Sequence, residues 1–228
     1  MAGLLQFDAQ RLEQMVNTKG LKKTWLDLLA THIKSFGKFD YILAEDDYRG
    51  HKILDENLLE ALSIGEIGVL YEFCIAHQDA SSRKDNGQYF TPDDVALFMV
   101  SKAKEFPVGR WLDPCSGVGN LSWHLVNSQR YKEKFLLESM ILSDRDELAL
   151  LIARTLFTLS FQKEHEFLFK ELEGNFIKFD FLSVADSSQD ALFSDSGLAD
   201  IPQHDFVIVN PPYLALKKRD FRFETADS

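Results

Sequence analysis

Apolar residues in the first third of the chain recur at the spacing of helix faces. Leu4, Leu5, Phe7, Leu12 and Val16 form one stripe, and Trp25, Leu28, Leu29, Ile33 and Phe36 form a second. Leu58, Leu59, Leu62, Ile67, Leu70 and Phe73 form a third. Positions three and four apart share one side of a helical turn, so each stripe is expected to be a buried helix face. The polar run Asp79 to Gly87 (DASSRKDNG) breaks this pattern and reads as a linker.

Beyond the linker the rhythm changes. Thr91 is read as an N-cap, Pro92 as the first helical residue and Asp93 and Asp94 as first-turn acids, opening a helix through Val95, Phe98, Met99 and Val100 to about Phe106. A strand at Arg110 to Asp113, a glycine-bearing turn, a helix near Leu121 to Asn127 and a strand at Met140 to Ser143 follow. A long apolar helix near Leu148 to Phe161 comes next, then strands near Asn175 to Phe179 and Asp205 to Val209. Glu166 to Glu173 fits neither period. Short apolar strands alternating with helices predict an α/β fold whose parallel sheet carries helices on both faces. The expected division is a helical region over 1–86 and an α/β domain over 87–228.

Composition narrows the function classes. With 45% hydrophobic and 27% charged residues, the chain is expected to fold around a sizeable core. Its net charge of −11 argues against coating nucleic acid through bulk positive charge, so any such contact is local or made elsewhere. The opening MAGLLQFDAQRLEQ lacks a basic segment followed by an apolar run, and no apolar stretch approaches membrane-spanning length. Cys74 and Cys115 are too few for a disulfide framework and, like the 6 histidines, lack metal-ligand spacing. A cytoplasmic protein with no membrane span and no metal is the expectation.

Four constellations could carry chemistry. Asp113-Pro114-Cys115-Ser116-Gly117-Val118-Gly119-Asn120 lies between a strand and a helix, where glycines let backbone approach a ligand and a helix N-terminus presents N–H groups to an anion. An ordinary glycine turn is the other reading, and the loop lacks both the third glycine of a dinucleotide fingerprint and the Gly-Lys-Ser/Thr of a phosphate loop. Asp144, in Ser143-Asp144-Arg145-Asp146, could accept both hydroxyls of a ribose or cap the next helix. Asp180-Phe181 could take a hydrogen bond from an amine and face a purine, or be a strand-end acid beside a core ring. Asn210-Pro211-Pro212-Tyr213 follows the apolar strand Phe206 to Val209; its prolines remove two N–H groups and leave carbonyls, while Asn210 adds an amide oxygen and Tyr213 a stacking face. That loop suits an amine.

These segments, in this order, resemble the amino-group DNA methyltransferases that use S-adenosylmethionine, particularly the N6-adenine class of restriction-modification systems. The resemblance covers roughly Gly87 to Tyr213. Gln88, Tyr89, Phe90 and Thr91, within Gly87 to Pro92, are similar to the family's segment that closes over the methionine end of the cofactor. Asp113, Pro114, Ser116, Gly117, Gly119 and Asn120 fall in a loop similar to its Asp-Pro-x-x-Gly-x-Gly, and Asp144 with Arg145 falls where its ribose-binding acid lies. Asp180 and Phe181 stand where the family's adenine-binding pair stands, and Asn210, Pro211, Pro212 and Tyr213 match its catalytic tetrapeptide without a change.

The resemblance implies a Rossmann-like sheet behind an N-terminal helical domain, S-adenosylmethionine as cofactor and DNA as partner. It further implies that the target adenine is flipped onto Tyr213. Lys217, Lys218, Arg219 and Arg222, just after the tetrapeptide, either contact backbone phosphates near that base or form a solvated loop. Fifteen residues follow Tyr213, whereas the family's catalytic domain continues with more strands and a recognition region. The expectation is therefore an incomplete sheet, open beside the Val207 strand, in a fragment or in one chain of an assembly whose second polypeptide supplies the rest. Two alternatives stay open: a glutamine methyltransferase acting on release factors, which shares Asn-Pro-Pro-Tyr, and a non-catalytic assembly subunit that retains the fold.

Overall fold

Trp111–Asp113 (β1), Met140–Asp144 (β2), Phe176–Lys178 (β3) and Phe206–Val207 (β4) form a parallel sheet in the order β3-β2-β1-β4. The computed structural model describes residues 9–78, 91–106, 108–181 and 201–211. Central β1 is buried throughout and β2 at all but its last residue, as near-continuous apolar strands of a covered parallel sheet should be. Register is continuous, with Leu112 opposite both Ile141 and Val207 and Leu142 opposite both Leu112-adjacent Asp113 and Phe176.

The chain steps outward from β1 to β3 and then returns to the other side of β1 for β4. Such a reversal opens a crevice at the carboxyl ends of the two strands it separates. Here those ends carry the glycine loop and Asn210. The expected open edge is present among the described residues: β4 pairs with β1 alone, and Val207 is 51% exposed.

Eight α-helices among the described residues surround or extend the sheet: α1 (Ala9–Lys19), α2 (Leu21–Ser35), α3 (Ile64–Gln78), α4 (Asp93–Ala103), α5 (Asn120–Asn127), α6 (Lys132–Ser139), α7 (Glu147–Phe161) and α8 (Leu168–Glu171). The mostly apolar α7 is capped by Asp146, whose side chain accepts the N–H groups of Leu148 and Ala149. It packs on β2 and β3, and α2 packs against it in turn. Tyr48 bonds Thr155 of α7, and the Tyr41 hydroxyl donates to Gln162 at 2.7 Å. One hydrophobic core therefore runs from the N-terminal helices into the sheet layer.

Several elements differ from the sequence reading. The third stripe begins its helix at Ile64, because Ser63 and Glu66 form a reciprocal cap there, leaving Leu58, Leu59 and Leu62 before it. Phe36 caps α2 and is 45% exposed rather than buried. Pro92, not Thr91, is the N-cap of α4, which ends at Ala103 and buries Ala96 and Val100 while Val95 and Phe98 are exposed. The helix α6 was not read at all, and α8 occupies the segment that fitted neither period. Leu4, Leu5, Phe7 and the Asp79 to Gly87 linker lie outside the described residues. No helix among the described residues is long and apolar enough to cross a membrane.

Candidate functional site

The loop after β1 is pinned to the end of β2 by two backbone donors. The Ser116 N–H donates to the Ser143 carbonyl at 3.0 Å, and the Gly117 N–H donates to Asp144 Oδ2 at 2.7 Å. Both groups thus bind the end of β2 instead of standing free for an anion. Gly119 adopts a φ of 86°, and a Cβ there would lie 2.8 Å from Phe157 Cε2. Glycine is required there for backbone and space together. Gly117, with a φ of 53°, would meet nothing within 4 Å, so only its backbone demands glycine.

Beneath the loop, Asp113 is fully buried. Its Oδ2 accepts from the Ser122 hydroxyl at 2.7 Å, and its Oδ1 lies 3.4 Å from the Cys115 N–H. Burial pushes its pKa up to about 7 against these bonds, and the Asp144 charge adds to the rise. Asp144 is raised in the same direction, chiefly by burial, although the N–H groups of Asp146 and Gly117 oppose it. Its two oxygens accept one bond each, from Asp146 at 2.9 Å and Gly117 at 2.7 Å. A carboxylate oxygen has two lone pairs, so each keeps an acceptor position for a ligand hydroxyl.

The pocket at the crevice brings together Thr91, Pro114, Ser116, Gly117, Asn120, Asp144, Arg145, Asp180, Phe181 and Asn210. Asp113 and Gly119 do not line it; they hold the loop from behind. Pro211 is exposed at the end of the described segment, while Pro212, Tyr213, Gln88, Tyr89 and Phe90 lie outside the described residues, as do Lys217, Lys218, Arg219 and Arg222. The Asp144 reading as a helix cap is replaced by its neighbour, since Asp146 caps α7.

Other residues of the wall were not singled out from sequence. Gly68, Tyr71, Glu72 and Ile75 of α3 line the pocket, and the Tyr71 hydroxyl donates to Asp146 Oδ2 at 2.7 Å. Two glycines inside α3 were the available signal, because each costs a helix interior roughly 1 kcal/mol relative to alanine and asks for a reason. At Gly65 the reason is room: a Cβ would lie 2.6 Å from Asp93 Oδ1. Phe179 also lines the pocket, its ring edge-on to Phe181 with centroids 4.7 Å apart. Cys115 lines it too, with its thiol pushed up to about 12 by burial and by the charges of Asp113, Asp144 and Asp180. That thiol stays protonated at neutral pH.

The polar wall is rich in acceptors. Asn120 is 3% exposed; its Nδ2 donates to the Thr91 carbonyl at 2.8 Å and to Asp93 Oδ1 at 2.9 Å, while its Oδ1 has no partner. A buried acceptor left open costs about 1–3 kcal/mol, which a ligand N–H would recover. Asn210 donates through Nδ2 to Thr91 Oγ1 at 3.0 Å. Glycine loop, paired aromatic rings, carboxylates and an open amide oxygen suit a ligand that carries hydroxyls, a flat ring and positive charge. Among the described residues, no group of three or more His, Cys, Asp or Glu could hold a metal ion.

Residues 63–227 match the family model described as N-6 DNA methylase, a span that takes in α3 as well as the loops named above. No curated protein and no solved structure matches the chain.

Proposed function

Because this chain belongs to the N-6 DNA methylase family, we propose that it transfers a methyl group from S-adenosylmethionine to N6 of an adenine in DNA, as the modification arm of a restriction-modification system. One observation carries this reading: Asn210, after β4, lines the same pocket as Gly117 and Asp144, across the point where strand order reverses. The match to the DNA-methylase model favours this substrate over the glutamine side chain of a release factor.

The pocket fits the cofactor. Asp144 keeps acceptor positions for ribose hydroxyls, Asn120 offers its open oxygen to an ammonium, and Phe179 and Phe181 offer rings to adenine. Pro114, Ser116, Gly117, Arg145, Asp180 and Thr91 complete its surroundings, and the family resemblance assigns Gln88, Tyr89 and Phe90 to the methionine end. When bound, S-adenosylmethionine supplies a methyl group already activated by the positive charge of its sulfonium.

The protein's chemical task is then to help the nitrogen. The lone pair of an exocyclic adenine amine is delocalised into the ring, so N6 is a poor nucleophile. Hydrogen bonds from that amine to Asn210 Oδ1 and the Pro211 carbonyl favour a tetrahedral nitrogen and stabilise the positive charge that grows on it. Pro211 and Pro212 contribute no N–H, so the loop opposes no donor to the amine. A base inside a duplex cannot reach such a pocket, so the adenine is flipped out and stacks on Tyr213, a contact worth about 1–3 kcal/mol. Lys217, Lys218, Arg219 and Arg222, which follow the tetrapeptide in sequence, are the cations assigned to backbone phosphates in this reading. The protonated Cys115 takes no covalent part.

A second polypeptide supplying further strands and target recognition is favoured by one observation, the exposure of Val207 on edge strand β4. Calorimetric titration of the chain with S-adenosylmethionine tests the reading. Saturable binding that Asp144→Ala weakens at least roughly tenfold is expected. Absence of binding by the folded chain contradicts it.

A further inference from the structure

The Asn210 side chain is hydrogen-bonded to a residue far away in sequence. Thr91 enters the pocket just ahead of α4, and its hydroxyl accepts the Asn210 Nδ2 donor at 3.0 Å. The terminal amide torsion is broad and roughly two-fold, so an unheld asparagine presents oxygen and NH2 almost equally. An NH2 turned toward an amine would set donor against donor. With Nδ2 engaged by Thr91, Oδ1 is the end left for the substrate. A hydroxyl can also donate to a flipped Oδ1, but that arrangement turns NH2 toward the incoming amine and is disfavoured once substrate arrives.

Thr91 is itself held. Its carbonyl accepts from Asn120 Nδ2 at 2.8 Å, and the same Nδ2 reaches Asp93 Oδ1 at 2.9 Å. Asn120 opens α5 directly after the glycine loop. The Thr91 hydroxyl is not occupied with capping α4, because Pro92 holds that position and no side chain caps the helix. Thr91, Asn120 and Asn210 come from three separate segments, and all line the one pocket.

We propose that Thr91 is a positioning residue for Asn210: its hydroxyl holds the amide with Oδ1 toward the methyl-accepting amine, and its carbonyl bond to Asn120 ties that arrangement to the glycine loop. This rests on the function proposed above. It gives the segment read as a cover for the cofactor a second task, directed at the acceptor side of the reaction.

Thr91→Val removes the hydroxyl at nearly constant shape, and Thr91→Ser retains it. Thr91→Val is expected to lower kcat roughly tenfold, the equivalent of one hydrogen bond, while S-adenosylmethionine affinity and the KM for DNA stay within about twofold of the parent. Thr91→Ser is expected to restore most of the rate. In parallel, the side-chain amide signals of Asn210 in a nitrogen-15 spectrum of the full chain are expected to shift in Thr91→Val and to stay near the parent in Thr91→Ser. An unchanged kcat in Thr91→Val, or a loss matched by an equal loss of cofactor affinity, overturns the proposal. Unmoved Asn210 signals in Thr91→Val overturn it whatever the activity does. A parent chain that neither binds S-adenosylmethionine nor methylates DNA counts instead against the functional reading, and the spectrum still decides whether Thr91 holds Asn210.

Discussion

Buried carboxylates in two regions behave in opposite ways. Away from the pocket, Asp27 is surrounded by donors: the Lys52 N–H at 3.0 Å, Lys19 Nζ at 3.0 Å and His51 Nδ1 at 3.2 Å. Burial alone would raise its pKa, but these donors outweigh burial and hold it below the usual value. Glu133 follows the same rule, with burial outweighed by the N–H groups of Glu164, Lys163 and His165. At the pocket, burial wins over the available donors at both Asp113 and Asp144. A buried acid whose partners are complete fastens chain segments together. One whose partners are incomplete, beside a cleft, is a group in wait of a ligand or a support for one.

Asn210→Ala should have the largest effect, because it removes the amide oxygen from the pocket. A fall in kcat of about 100- to 1,000-fold is expected with cofactor affinity little changed. An equal fall in affinity would place Asn210 with the supporting residues instead. Asp27→Ala should do the reverse. Two segments, the end of α1 and the loop carrying His51 and Lys52, lose their common acceptor, so stability should fall by about 3 kcal/mol and the Tm by roughly 10 °C, with cofactor affinity preserved.

Stability against pH separates the two sets by sign. The Asp113 pKa rises from 3.8 unfolded to about 7 folded, so between these values the folded chain keeps a proton that the unfolded chain releases. Its contribution to stability is therefore full below pH 3.8 and is lost as pH climbs to about 7. Asp144 moves in the same direction, chiefly through burial. For Asp27 and Glu133 the contribution is present above their ordinary values and is lost as pH falls through the lowered folded ones. Thermal melts of Asp113→Asn and the parent should diverge across this window, the parent losing roughly 6 °C relative to the variant on going to neutral pH. A difference independent of pH would contradict the raised carboxyl.

The two loop glycines offer the finest contrast. Gly119→Ala meets both an unfavourable φ and Phe157, and should cost about 2 kcal/mol. Gly117→Ala meets only the backbone strain and should cost about 1 kcal/mol in a denaturant titration. Equal costs would mean that Phe157 yields without penalty.

Strand and helix types were legible where period and punctuation agreed. The apolar run of β2, the long α7 and the loop after β1 all lie within a residue or two of their sequence reading. The helix α6 was missed because KEKFLLES mixes charges with a short apolar run and its anchor is remote: Glu133 accepts N–H groups from residues 163 to 165. The pocket's α/β residues were legible because their spacing follows the loops after successive strands. The wall from α3 was not, since which side of a mostly apolar helix meets a cleft depends on tertiary packing. The cap-forming Ser63 and Glu66 were a readable sign that the helix starts at Ile64. Thr91 was read as a local cap because a sequence cannot reveal that Asn120 and Asn210 take up its polar groups instead.

The most direct measurement is chromatographic analysis of nucleosides from adenine-containing DNA after incubation with the chain and methyl-labelled S-adenosylmethionine, beside Asn210→Ala. Label is expected in N6-methyl-2′-deoxyadenosine with the parent, with a loss of at least about 100-fold in the variant, although both bind the cofactor. Equal labelling by both proteins, or label confined to another base or to protein, would contradict the proposed function.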